Sequence, residues 1–170
     1  MGSDDPTNLT YPLGSVTIHP PAREITGYNK ERQDFIIGPN AAPSFAGYFC
    51  ARFSESPVEW GTSSNADGSI FPGEVTRTGT QVSAYMRFDK HVRVVDVRIG
   101  VSFISAEQAR KNLETEIPDG HNLESTALRT RAAWAEKLDR IKMQGASEEE
   151  RTIFYTAAFH TLQVCFVLSN

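Results

Sequence analysis

No surplus of one charge runs through this sequence: 17 basic residues face 21 acidic ones, for a formal net charge of −4. A general nucleic-acid binder ordinarily carries a strong basic excess, so no nucleic-acid partner is expected. Cysteine is scarce. Cys50 and Cys165 have no metal-ligand spacing and make no disulfide framework. Each reads as a small buried apolar residue rather than half of a bridge. Long apolar runs are missing as well, and no stretch approaches the roughly 18–20 residues of a membrane span. The opening MGSDDPTNLTYPLGS has neither a basic nor an apolar leader region, so it does not read as a signal peptide. No P-loop, dinucleotide fingerprint or nucleophile elbow is present.

What is present is ordinary for a globular chain: 170 residues, 39% hydrophobic and 22% charged. The pattern changes near residue 104. Before it, turn-formers such as Pro20-Pro21, Gly38-Pro39-Asn40, Asn65-Ala66-Asp67-Gly68 and Thr78-Gly79 separate short β-type segments. Val16 and Ile18 alternate with polar neighbours. Phe49, Ala51 and Phe53 share one face of a strand at 48–53, and Val82, Ala84, Met86 and Phe88 share a face of another. Val95, Val97, Ile99, Val101 and Phe103 share a face of a third, which the period of two marks as buried. The phase shift at Val94-Val95 suggests a β-bulge, and Asp89-Lys90 a turn that makes 81–104 a hairpin. Antiparallel strands with irregular loops suggest a sandwich.

After residue 104 the apolar period approaches 3.6. The spacing predicts helices near 106–115, 124–142 and 148–164. Ser105 to Gln108 and Ser147 to Glu150 have the form of capping boxes. Leu128, Ala132, Ala135, Leu138 and Ile141 form one stripe, and Gly145 stands where a helix C-terminus would end. The third helix is apolar around much of its circumference. It runs into Val164-Cys165-Phe166-Val167-Leu168 with few elements available to pack on it. An apolar surface around Phe154, Phe159, Phe166 and Leu168 is therefore expected to stand exposed, as in a chain that has lost its packing partners.

The chemistry-bearing residues are sparse. Glu114 and Glu116 lie near a helix end, and Glu148 to Glu150 suit a helix N-terminus, so neither group reads as a catalytic pair. His19, His91, His121 and His160 have no ligand spacing, so no metal site is expected. His19 and His91 read as strand or turn residues, His121 as a loop residue and His160 as a hydrogen-bonded core residue. The basic residues of 129–142 read as a solvated face interleaved with Glu136 and Asp139. Trp134 reads as core. Trp60 either packs or borders a cleft where it could stack on sugar, and packing is favoured. Asn8-Leu9-Thr10 is a glycosylation sequon, meaningful only for a secreted chain.

Three stretches carry a resemblance: ITGYNKERQDFIIGPNAAPSFAGYFCARFSESPVEWGT from Ile25, VRIGVSFISAEQARKNLETEIPD from Val97, and ALRTRAAWAEKLDRIKMQGASEEERTIFYTAAFHTLQ from Ala127. All three resemble glycoside hydrolase family 92, in the same order and with a fungal flavour. The resemblance implies a calcium-dependent exo-acting α-mannosidase that inverts configuration. It implies an α+β chain: residues 1–104 a partial β-sandwich, 105–146 a helical linker, and 147–170 the first helix of an (α/α) barrel. In that family the catalytic acid, the base and the calcium ligands come mainly from the barrel. No catalytic or metal-binding residue is therefore assigned here, no substrate-binding residue is named, and no calcium is expected to bind this chain alone. The family's usual glycine-rich opening is absent, and the match stops after HTLQ, where VCFVLSN reads as the end of an interrupted reading frame. The implied partner is a mannose-containing glycan, and the parent enzyme is expected to be secreted. The other reading of the same residues is a non-catalytic carbohydrate-binding or interaction module.

Overall fold

A computed structural model describes residues 13–30 and 46–166. The sequon at Asn8 lies outside them, as do the side chain of Cys165 and those of Phe166 and Leu168. Among the described residues eight strands precede three helices: β1 (Gly14–His19), β2 (Glu24–Asn29), β3 (Gly47–Phe53), β4 (Glu59–Ser64), β5 (Ile70–Pro72), β6 (Thr76–Gly79), β7 (Val82–Arg87), β8 (Val97–Ser102), α1 (Ala106–Glu116), α2 (Leu123–Leu138) and α3 (Glu148–Phe166). Two compact units result, 1–120 and 121–170.

In the first unit the strands form two antiparallel sheets. The larger runs β6-β1-β2-β3-β8 and the smaller β5-β4-β7. Alternation assigns each sheet two faces. In the larger sheet, Val16, Ile18, Ile25 and Ala51 are buried on one face. Thr62 of the smaller sheet is buried too, and the Arg77 Nε–H of β6 donates to its hydroxyl at 3.0 Å. Phe53 and Phe88 meet with ring centroids 5.7 Å apart. The opposite face of the larger sheet carries α1, where Cys50, Ala109 and Leu113 form a fully buried cluster. Cys50 is a free thiol in that core, as its isolation in the sequence suggested.

Three sequence expectations are corrected here. Strands β7 and β8 are not a hairpin: β7 pairs with β4 and β8 with β3, in different sheets. The stretch Val92–Asp96 is a crossover between sheets rather than a bulged strand, which explains the phase shift at Val94-Val95. The apolar face of β8 is not buried: Val97, Ile99 and Val101 are 46%, 56% and 66% exposed, and Phe103 is exposed as well. Gly100, on the other face, is buried. A Cβ added there would lie 2.2 Å from the Ala109 carbonyl oxygen, so only glycine lets α1 approach β8 this closely. The helix chose the face that permits backbone contact over the more apolar one.

Helix α1 begins as expected: the Ser105 Oγ accepts from the Gln108 N–H at 3.0 Å. The return bond of a capping box is replaced by a Gln108–Asn112 side-chain bond at 2.8 Å.

In the second unit, Ser147 and Glu150 form the full reciprocal box. A further box at Asn122 and Ser125 starts α2. Helix α2 ends at Leu138, short of the expected 142, and Gly145 (φ 73°) serves the connection instead. Its stripe is largely open, with Leu128 and Ile141 exposed. Trp134 packs on Phe159 at 4.4 Å between centroids. Phe154 and Phe159 are half-buried rather than exposed, whereas Ile153 of α3 is exposed.

Candidate functional site

Charge collects under α1. Glu24 opens β2 directly after a 3-10 turn at Pro20–Ala22, which Arg23 leaves with φ 56°. Antiparallel register sets Glu24 opposite Arg52 of β3, and Arg52 opposite Arg98 of β8. These three polar positions share the face that α1 covers. Helix α1 adds Arg110 and Glu114, and Asp119 follows its end. Glu24 is only 2% exposed. One of its oxygens accepts from Arg52 Nε at 2.7 Å, the other from Arg110 Nε at 2.9 Å. Arg52 also donates to Glu114 at 2.8 Å. Arg98 donates to the Ile117 carbonyl at 2.7 Å and pairs with Asp119. Three guanidiniums thus meet three carboxylates.

Burial pushes the Glu24 carboxyl up, but the bonds from Arg52 and Arg110 outweigh it and hold the group below the usual carboxylate range. Burial depresses Arg52, yet Glu114 and Glu24 more than reverse this and raise it. The Asp119 carboxyl is held low by Arg98. Burial raises the Cys50 thiol, and the negative charge of Glu24 adds to the effect. A carboxylate with both oxygens tied to guanidiniums has no proton to donate and little basicity to offer. The cluster binds α1 to the sheet, and acid–base work is outside its reach.

The direction of the Glu24 shift sets a pH dependence. Its folded pKa lies below the unfolded value of about 4.3. Its contribution is therefore fully present above that value and is lost as pH falls through the folded pKa. Urea midpoints measured between pH 7 and pH 3 are expected to fall toward acid, with Glu24→Gln showing a shallower decline. Equal slopes in both chains would assign the acid loss to other carboxylates.

A second polar knot joins the sheets. The Thr62 hydroxyl donates to Glu74, Arg77 donates to Glu74 at 2.8 and 3.0 Å, and the Arg77 guanidinium lies 3.4 Å above the Phe71 ring. It too is charge-balanced.

The residues singled out in the sequence do not converge. Glu114 belongs to the α1 cluster, and Glu150 caps α3. His19 bonds Thr26 at 3.1 Å and His121 bonds Arg129 at 3.0 Å. His160 is exposed and contacts Gln163, so it is a surface residue, not a core one. Trp60 lies on the inner face of β4, opposite Met86, with a buried indole N–H. It packs inward. An open groove of about 500 Å³ in the second unit, lined by Leu138, Glu148, Arg151, Tyr155 and Phe159, holds a single carboxylate. Among the described residues no three metal-binding side chains gather, and no helix is long and apolar enough to cross a membrane. The cluster of Glu24, Arg52, Arg98 and Arg110 escaped the sequence reading, since its members meet only once the strand register is known.

Comparison with known proteins adds the following. Residues 2–102 match the family model of the glycosyl hydrolase family 92 N-terminal domain, and residues 108–169 that of the family 92 catalytic domain. An uncharacterised secreted glycosidase of Arthroderma benhamiae is 40% identical over 72 residues, covering 40% of this chain and 9% of that protein. A family 92 inverting mannosidase of Bacteroides thetaiotaomicron superposes with a TM-score of 0.74 at 26% identity, over 89% of this chain and 20% of that one. A further family 92 glycosyl hydrolase superposes at 0.73 with 22% identity, over 88% and 20%. The chain thus spans about a tenth of the curated relative and a fifth of the solved enzymes.

Proposed function

This chain belongs to glycosyl hydrolase family 92, and we propose on that basis that it is the framework portion of an inverting exo-α-mannosidase acting on terminal α-mannose of glycans. The observation that carries the proposal is the order of the two family matches, N-terminal domain then catalytic domain, meeting where strands give way to helices. We assign 1–104 to the sandwich, 105–146 to the linker and 147–170 to the start of the barrel. The secreted fungal relative supports secretion of the parent enzyme.

Family 92 implies calcium. The described residues do not suit it: the carboxylates that gather under α1, Glu24, Glu114 and Asp119, are interleaved with three guanidiniums, which repel a divalent cation. The role of these residues is mechanical. The α1 cluster and the Thr62–Glu74–Arg77 knot make a rigid base on which a sugar-cleaving site could be held.

The 170-residue chain alone is expected to release no mannose from a chromogenic α-mannoside, with or without calcium. Inversion needs an acid and a base flanking the bond, roughly 6.5–9.5 Å apart. A misplacement of about 1 Å can cost on the order of 100-fold in rate. Glu24, Glu59, Glu74, Glu114 and Asp119 are paired with arginine, and other described carboxylates lie scattered over loops, turns and exposed helix positions. Calcium-dependent turnover abolished by replacing a carboxylate within this chain would place the active site here and defeat the proposal.

A further inference from the structure

Strand β8 is an edge of the larger sheet, and the hydrogen-bond phase of its neighbour β3 shows which of its backbone groups face outward. The Phe53 N–H donates to the Arg23 carbonyl on the β2 side, and the Ser54 N–H to the Asp96 carbonyl on the β8 side, each at 2.9 Å. Alternation then turns the backbones of Asp96, Arg98, Gly100 and Ser102 toward β3, and those of Val97, Ile99 and Val101 away from it. The Asn112 side chain agrees with this phase: its amide donates to the outward Val101 carbonyl at 2.9 Å. Among the described residues no strand pairs with the outward side of β8.

The same three residues carry exposed aliphatic side chains, so edge and face lie open together. Exposed edges are ordinarily blunted by charge, proline or a bulge. None of these blunts the face of Val97, Ile99 and Val101. Arg98 points to the α1 side, where it bonds the Ile117 carbonyl and Asp119. A smooth apolar surface would cover the side chains and leave the backbone groups unpaired. An extended strand satisfies both.

The strand that β8 fits is β8 itself. Let two copies run antiparallel with Ile99 on the twofold axis. Ile99 then exchanges both backbone bonds with Ile99 of the second copy, and Val97 does so with Val101 of the second copy. The Val101 carbonyl has a lone pair beyond the one Asn112 uses. Aliphatic side chains lie beside aliphatic side chains on one face. On the other, Arg98 falls opposite Gly100 of the second copy, so no like charges meet. A register centred on Arg98 would set two guanidiniums against each other.

We propose that β8 is a self-association edge, through which two copies of this chain join their larger sheets into one continuous antiparallel sheet. A single strand pair is a small interface, under about 1,200 Å², so the dimer is weak and reversible.

Sedimentation equilibrium of the 170-residue chain over about 10 μM to 1 mM is expected to show monomer passing to dimer without further growth. Ile99→Lys sets two ammonium groups on the axis and is expected to weaken the dimer at least about 10-fold, with an unchanged circular-dichroism spectrum. Cross-linking reads the register, in a chain also carrying Cys165→Ser. Ile99→Cys is expected to bridge two copies under oxidised glutathione, because Cα atoms of a hydrogen-bonded pair lie about 5.5 Å apart. Val97→Cys is expected to bridge little, since its counterpart lies about 13 Å away along the strand. A chain monomeric throughout, indefinite growth, association unaltered by Ile99→Lys, or equal bridging at both positions overturns the proposal. Should Ile99→Lys fail to fold, the bridging pattern decides. The proposal does not rest on the mannosidase reading, which none of these results alters.

Discussion

Replacing Glu24 with alanine is expected to lower the stability of the chain by about 3–5 kcal/mol, measured as the shift in a urea unfolding curve. Two arginines share this carboxylate, and Arg52 has only 13% of its side chain exposed. Removing the anion leaves Arg52 and Arg110 beside a desolvated gap. Arg52 keeps Glu114, whereas Arg110 loses the Glu24 carboxylate with which it pairs. Domains are stable by only about 5–15 kcal/mol, so the variant would sit near the limit of folding. The exposed Glu59–Arg87 pair supplies the comparison. Glu59→Ala is expected to cost less than about 1 kcal/mol, because solvent screens that pair. If both substitutions shift the curve equally, the α1 cluster is no stronger than a surface ion pair.

Gly100→Ala is expected to cost about 3 kcal/mol, the upper part of the usual range for overpacking. The added methyl would meet the Ala109 carbonyl oxygen at 2.2 Å, the Leu113 Cβ at 2.8 Å and the Leu113 nitrogen at 2.9 Å. Two of these are backbone atoms of α1, and no rotamer change relieves them. The helix must lift from β8, opening the cluster of Cys50, Ala109 and Leu113. Hydrogen exchange would register this as lost protection of α1 amides, with strand β1, at a distance from α1, less affected. Unchanged protection along α1 would mean that the helix shifts at little cost.

Much of the architecture is legible in the sequence, and its failures have definite physical causes. Periods of two and 3.6 find β1, β3, β7 and β8 and all three helices, because those periods reflect local geometry. Residue periodicity is silent on which face of a strand meets a partner. Val97, Ile99 and Val101 look like a core face, yet the partner helix packs where Gly100 leaves room. Strand pairing is equally non-local: Asp89-Lys90 has the chemistry of a turn, but β7 and β8 leave it for different sheets. The polar cluster was illegible for the same reason. Glu24, Arg52 and Arg98 look like ordinary outward charges on separate strands until the register sets them in a row.

The crossover between β7 and β8 has a consequence for how the chain acquires its structure. The larger sheet takes strands from 14–19, 24–29, 47–53, 76–79 and 97–102, while the smaller takes 59–64, 70–72 and 82–87 from within that span. Neither sheet is complete until residues from the far side of the other have been made. Strand β3 must wait on the ribosome with one edge open until β8 emerges, some fifty residues later. Such interleaved, distant pairing slows folding, because loop closure must be met before the contacts that reward it. No cut between β1 and β8 leaves both sheets whole, so limited proteolysis within this span should release no stably folded half. The interleaved strands are expected to fold and unfold as one piece.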